Sequence, residues 1–290
     1  MILDTLKFIY NHPFNDDNKL GAIARFIKWQ IGTRLNPYPV VYPYTEHTRF
    51  LIWKGLSGAT GNLYCGLLEF GDMAFLLHVL RPDDAFVDIG ANVGAYTILA
   101  AGEIGAKTTA IEPIPSTFQH LTGNIRINNI GDKVNALNIG LGKERSVIKF
   151  TRSHDTVNHV ATANETDTVD VQVDKLDNVI DKVPFVIKID VEGFETEVLN
   201  GANRTLENGD LKAIIIELNG SGERYGYDEQ LIHAKLLGFG FKPFEYDPMK
   251  RQLISLTTYG MHNTIYIRDV EQVQNRLATA RKIRIRHREI

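Results

Sequence analysis

One cysteine, Cys65, occurs in 290 residues. No intramolecular disulfide can form, multi-cysteine zinc and iron–sulfur sites are excluded, and the count suits a reducing compartment. The thiol reads as a small buried apolar residue. Also missing is any apolar run of the ~20 residues that span a bilayer. The start, MILDTLKFIYNHPF, is broken by Asp4, Lys7 and His12 where a secretory leader needs an unbroken apolar core. The expectation is a cytoplasmic protein. No excess of either charge is present: the net is −3, so no whole-chain positive field would hold a nucleic-acid backbone, and nucleic acid is set aside as a partner. Internal repeats and low-complexity linkers are absent too.

What is there is an ordinary globular composition, 43% hydrophobic and 23% charged, enough to bury a full α/β core. Residues 1–60 read as an N-terminal helical extension, 61–270 as the main domain and 271–290 as a basic C-terminal helix or tail. In the extension, Leu20, Ile23, Ala24, Ile27 and Ile31 recur at helical spacing, with Lys19, Arg25, Lys28 and Arg34 interleaved. That stripe is expected to pack on the main domain or on a second copy in a homodimer, with peripheral docking on a membrane as the alternative. The tail, RKIRIRHREI, reads as solvated charge.

A helical pattern over 69–80 precedes a buried strand, Ala85-Phe-Val-Asp-Ile. Strands over 108–112, 133–139, 184–190 and 211–218 then alternate with helices over 116–129, 194–206 and 228–237. Strand and helix in turn predict a mostly parallel, Rossmann-like α/β sheet. Strands 241–246 and 264–268, with no helix between them, add an antiparallel edge hairpin and bring the count to seven. Between Gly142 and Leu176 the pattern loosens into two strand-like pieces around a polar stretch, read as an insertion near the site mouth.

The segment FVDIGANVGAYT runs a buried strand into Asp88, then turns through Gly90, Asn92 and Gly94 into a helix. Ligands of open parallel sheets bind outside the carboxyl ends of the strands. Here Gly90 permits the sharp turn and Gly94 a close ligand. Glu112 ends the next strand, placed to accept ribose hydroxyls. The position after Gly90-Ala91 is Asn92, where a dinucleotide site wants a second glycine for the pyrophosphate. A phosphate-free nucleoside bearing an amino acid and a sulfonium therefore suits Asp88 and Glu112 better. An NAD-dependent oxidoreductase becomes improbable.

The stretches FVDIGANVGAYTILAA, AIEP and IKIDVEGFETEVLNGA resemble the FkbM-type methyltransferases, whose pattern pairs a D-x-G-A-N-x-G turn with a K-x-D-V-E-G-x-E strand end. The resemblance covers about residues 62–246. It implies a class I methyltransferase fold, S-adenosyl-L-methionine as cofactor, and O-methylation of a saccharide, glycolipid or natural-product hydroxyl. Leu176-Asp177 and the run from Ile214 to Asn219 match further pieces. An N- or protein methyltransferase, or a non-catalytic cofactor-binding scaffold, are the alternatives.

A strand's period of two puts Lys188, Asp190 and Glu192 on one side. Charges closing an apolar strand need partners, so Lys188 is expected to neutralise a carboxylate. Asp190 or Glu192 is the candidate base for an alcohol nucleophile, with Asp190 also facing the cofactor. Glu217 and Asn219, ending the neighbouring strand, are candidate acceptor contacts. With Asp190 they offer a less favoured site for magnesium or calcium. His154 and His159 in the polar loop are further acceptor-side candidates. Glu195, Glu197 and Glu207 read as helix surface or as complements to the dipole of a first turn.

Overall fold

The computed structural model describes residues 2–153 and 157–290. Two helices open the chain, α1 (Ile2–Asn11) and α2 (Lys19–Leu35), the second capped by Asn18, whose Oδ1 accepts the Gly21 N–H. A hairpin follows, β1 (Val40–Pro43) and β2 (Arg49–Ile52). Leu51 N–H donates to Asn124 Oδ1 at 2.7 Å, which ties this hairpin to the main domain. The extension is not a separate appendage: Ile9, Phe14, Phe26 and Phe50 share one buried cluster with Phe86, Val186 and Ile215.

Of the stripe expected to pack on the main domain or a second copy, Ile23 packs on the main core, and most of the rest faces outward. α2 buries Ala22 and Phe26, while Leu20, Ile27 and Ile31 are 83%, 49% and 54% exposed. The helix has apolar residues on two faces. The inward one carries Phe26, which meets the Tyr64 ring edge-on at 5.3 Å within the main core.

Next come α3 (Ser57–Cys65), the buried α4 (Phe70–Val79) and the first core strand, β3 (Ala85–Ile89). Then follow α5 (Ala95–Thr97), running on as π-helical turns over Ile98–Ile104, β4 (Lys107–Ile111), α6 (Pro115–Ile127) and β5 (Val134–Leu137). The insertion is a small sheet of β6 (Gly140–Leu141), β7 (Ser146–Thr151) and β8 (Thr168–Asp174). After α7 (Leu176–Val179) come β9 (Val186–Ile189), α8 (Glu195–Asn200), α9 (Asn203–Glu207), β10 (Ala213–Glu217) and α10 (Glu229–Gly238). The last core strands are β11 (Lys242–Asp247), β12 (Gln252–Ser255) and β13 (Asn263–Ile267). The chain closes with α11 (Val270–Ala278) and the hairpin β14 (Arg284–Ile285), β15 (Arg288–Glu289).

The main sheet has eight strands in the order β12-β11-β13-β10-β9-β3-β4-β5. The run from β10 to β5 is parallel, and β13 inserts antiparallel between β10 and β11. The eighth strand, β12, has four residues and no buried one, so it carries no pattern to read. The helix expected over 194–206 breaks after Asn200. There Gly201 presses on the Gly142 carbonyl, whose oxygen would lie 2.1 Å from a Cβ. Asp177 caps the second piece, accepting the Arg204 and Thr205 N–H groups at 2.8 and 3.0 Å.

The basic tail is folded rather than solvated. Its alternation buries Ile283, Ile285 and Ile290, while Arg286 donates to the carbonyls of Asn62 and Leu63, and Arg288 to that of Pro13. Cys65 is buried, and burial pushes its thiol up to about 11. No helix of the described residues is long and apolar enough to cross a membrane.

Candidate functional site

Strands β3, β4 and β9 run in register, Ile89 pairing with both Ile111 and Ile189. The residues just beyond, Gly90, Glu112 and Asp190, therefore emerge side by side at the carboxyl edge of the sheet, where the connections diverge to opposite sides. All three line one cavity of about 800 Å³. Gly90 has φ +75°, and a Cβ there would sit 1.7 Å from the Asp190 carbonyl oxygen, so this crossing admits no side chain.

Asn92 is also left-handed, with φ 50°, a conformation asparagine tolerates better than other side chains. Its N–H donates to Glu112 Oε2 at 2.9 Å and its Oδ1 accepts the Val93 N–H at 2.8 Å. Glu112 Oε1 accepts the Ile114 N–H at 2.9 Å. Burial nevertheless pushes the Glu112 carboxyl up to about 7, outweighing those two bonds. Gly94 (φ +93°) does not line the cavity. A Cβ there would meet Leu121 Cδ1 at 2.6 Å, so its role is close packing of α6 rather than ligand approach.

Asp88 lies beneath the turn, 1% exposed. Its Oδ2 accepts the Thr97 hydroxyl at 2.7 Å, and its Oδ1 is buried without a hydrogen-bond partner. Burial raises its pKa. Lys188 Nζ donates to Asp190 Oδ2 at 2.7 Å and stands 4.9 Å from the Tyr96 ring centroid. Burial pulls this ammonium down, but Asp190, Glu69 and Asp88 outweigh it and hold Lys188 above its usual range.

Strand geometry stops at Ile189, so the period-two argument does not reach Glu192. Glu192 arrives at the same place by a left-handed turn, φ 54° followed by Gly193 at φ 102°. Glu195, expected on a helix surface, is 3% exposed and braces that turn, accepting the Gly193 and Val191 N–H groups at 3.1 and 3.2 Å. Glu197 is likewise buried, beside Lys143 at 3.4 Å.

Asp190, Glu192 and Glu217 gather ligand oxygens within 4.8 Å of one another. Burial, then the charges of Asp190 and Glu195, pushes Glu192 up to about 7. Glu217 is raised by burial and by Asp190 and Glu192. Asn219 is not part of the group: it is exposed, and its Oδ1 accepts the Ser221 N–H at 2.9 Å. The cation set of Asp190, Glu217 and Asn219 is thus not assembled, Glu192 taking the third place.

His159 is engaged elsewhere, Nε2 with Glu165 at 3.0 Å and Nδ1 with the Val157 carbonyl at 2.8 Å, and it does not line the cavity. His154 lies outside the described residues. The insertion still reaches the site through Phe150 and Asn158. Sequence reasoning missed Glu69 and Tyr96, joined by a 2.6 Å hydrogen bond on the cavity wall. Tyr96 sits inside the glycine-turn motif and could have been weighed there. It also missed the far wall, where α1 and α2 contribute Ile2, Thr5, Phe8, Phe26 and Gln30.

A parallel sheet closed by a reversed strand, with a glycine turn after its first strand and an acid ending the second, is the Rossmann-like architecture of class I methyltransferases. Residues 88–243 match the Methyltransferase FkbM domain, more than half of the chain. The chain belongs to the FkbM methyltransferase family. Among curated relatives, the Hexuronic acid methyltransferase AglP of Haloferax volcanii is 28% identical over 56% of this chain and 66% of its own length. Methyltransferase 1 of Beauveria bassiana is 29% identical over 53% of this chain and 72% of its own. A solved FkbM methyltransferase from Methylobacillus flagellatus superposes with a TM-score of 0.46 and 18% identity, over 65% of this chain and 44% of that one.

The family implies S-adenosyl-L-methionine as methyl donor, and the residues fit it. The Glu112 carboxylate has lone pairs beyond its two backbone donors for ribose hydroxyls. Asp88, whose Oδ1 has no hydrogen-bond partner, is among the residues lining the same cavity and places an acceptor carboxylate beneath the turn for a cationic donor.

Proposed function

We propose that this protein moves a methyl group from S-adenosyl-L-methionine to a hydroxyl oxygen of a saccharide-containing or natural-product acceptor, with Glu192 as the base. The carrying observation is that Glu192, Asp190 and Glu217 cluster on the wall of the cavity that Gly90 and Glu112 also line. The donor supplies an electrophilic methyl on a positively charged sulfur. Everything else falls to the chain: hold the acceptor oxygen in line and take its proton as the new bond forms. An alcohol is a poor nucleophile without such a base, and a carboxyl held near 7 is half-charged at neutral pH, where a base is most effective. Asp190, paired with Lys188, is the less available of the two carboxylates.

Support for a sugar acceptor comes from the Haloferax relative, a hexuronic acid methyltransferase by name. Carboxyl groups are also natural partners for sugar hydroxyls. The test is transfer of a labelled methyl to a panel of uronic acids, glycosides and phenols, followed by mild base. An alkali-stable methyl ether is expected. An alkali-labile methyl ester, or methylation of amines alone, would refute the hydroxyl assignment.

A further inference from the structure

The surface that α1 and α2 turn outward is unlike the rest of the molecule. Ten of the seventeen exposed large hydrophobic side chains among the described residues lie between Ile2 and Val41. On α2, at 100° per residue, Leu20, Ala24, Ile27, Ile31 and Leu35 form a single stripe opposite the buried Ala22 and Phe26. Leu20 and Leu35 are 83% and 81% exposed, and Ile2 and Leu3 on α1 are 64% and 80% exposed. The inward face of the helix is already filled, so no rotation of α2 would cover this stripe.

Charge narrows what can cover it. The α2 sequence contains Lys19, Arg25, Lys28 and Arg34 and no acidic residue, in a chain whose net charge is −3. Exposed Lys28 and Arg34 fall on opposite flanks of the stripe. A two-fold dimer through this stripe would set it against a second copy that likewise offers cations and no acid from α2. An anionic surface meets them with opposite charge instead. An apolar stripe flanked by cations, on a helix too short and too polar to cross a bilayer, is the pattern of a helix lying in a membrane interface.

We propose that the outward stripe of α2 docks on an anionic lipid bilayer, with Leu20, Ile27, Ile31 and Leu35 entering the headgroup boundary and Lys28 and Arg34 pairing with lipid phosphates. Ile2 and Phe8, on the α1 helix that packs against α2, line the wall of the cavity together with Phe26 on the opposite side of α2 from the stripe. The proposal does not rest on the methyl-acceptor assignment, and its readout is separate from turnover.

The experiment is co-sedimentation of the full chain with vesicles of phosphatidylglycerol mixed with phosphatidylcholine, against phosphatidylcholine alone, while S-adenosylhomocysteine affinity is followed by calorimetry. Binding to the anionic vesicles only is expected, weakened at about 0.5 M salt by screening. Ile27→Asp with Ile31→Asp, and separately Lys28→Glu with Arg34→Glu, should each lower partitioning roughly tenfold or more. Neither pair lines the cavity, so the calorimetric affinity should hold and report an intact fold. Absence of wild-type binding to anionic vesicles, or equal binding by both variant pairs, would overturn the proposal. So would a dimer in sedimentation equilibrium that Ile27→Asp with Ile31→Asp dissolves, since a second copy would then be the occupant.

Discussion

Glu112 and Glu192 are both held near 7, largely by burial, yet they face different work. Glu112 already organises the turn through Asn92 and Ile114. Glu112→Ala is expected to weaken S-adenosylhomocysteine binding by about 1–3 kcal/mol in calorimetry, the scale of lost charge-assisted hydrogen bonds. Unchanged affinity would remove it from the ribose site. Glu192 must be charged to act as base, and its raised pKa means that the charged form dominates only above about 7. Turnover should therefore rise with pH through a midpoint of about 7 and level off about one unit above it. In Glu192→Gln it should fall roughly a hundredfold or more and lose that limb, with cofactor affinity kept. A variant that retains the limb would move the role to another group. Lys188 pairs with Asp190, and burial with the charges of Asp190 and Glu192 raises Glu217 toward its protonated form. Chelation with EDTA is expected to leave the rate unchanged; a loss restored by magnesium would make the cluster a metal site.

At the scale of elements, the parallel core is legible because β3, β9 and β10 are short, mostly apolar runs, as strands buried on both faces must be, and they close at Gly90, Asp190 and Glu217. Asp88, Gly90, Glu112 and Asp190 could be named from that pattern. Why the glycines are needed could not: Gly90 makes room for the Asp190 carbonyl and Gly94 for Leu121, partners about 100 and 27 residues away along the chain. From its place in a first turn Glu195 reads as helix surface or dipole complement, and only tertiary contact shows it holding the Val191 and Gly193 N–H groups. Glu195→Ala should release those donors and destabilise the fold by about 1–3 kcal/mol in urea unfolding. It should also shift Glu192 enough to lower turnover. A fully stable and active variant would show that the turn stands without its brace.

Across the whole molecule, the ends meet over the site. Arg286 reaches the carbonyls of Asn62 and Leu63 on α3, and Asn62 lines the cavity. Arg286→Ala should expose the last hairpin to limited proteolysis, whereas resistance equal to wild type would mean the isoleucines hold it alone. Stability should also depend on pH in a defined direction. Buried Glu112 and Glu195 bind protons more tightly folded, near 7, than at their ordinary 4.5. Their contribution is complete below about 4.5 and is lost as pH rises through about 7. The melting temperature of the cofactor-free protein should thus decline between about pH 5 and 8, and a flat profile would contradict that burial. By itself the sequence determined the order of strands and helices, the parallel sheet and the acids at its carboxyl edge, because period and punctuation are local properties. Tertiary structure decided which face of α2 is buried, that the basic tail is a latch, that Asn219 and His159 turn away, and that Glu69, Tyr96 and the first helices complete the cavity. Those outcomes depend on which surfaces meet, and burial and charge pairing between distant segments leave no periodic trace along the chain.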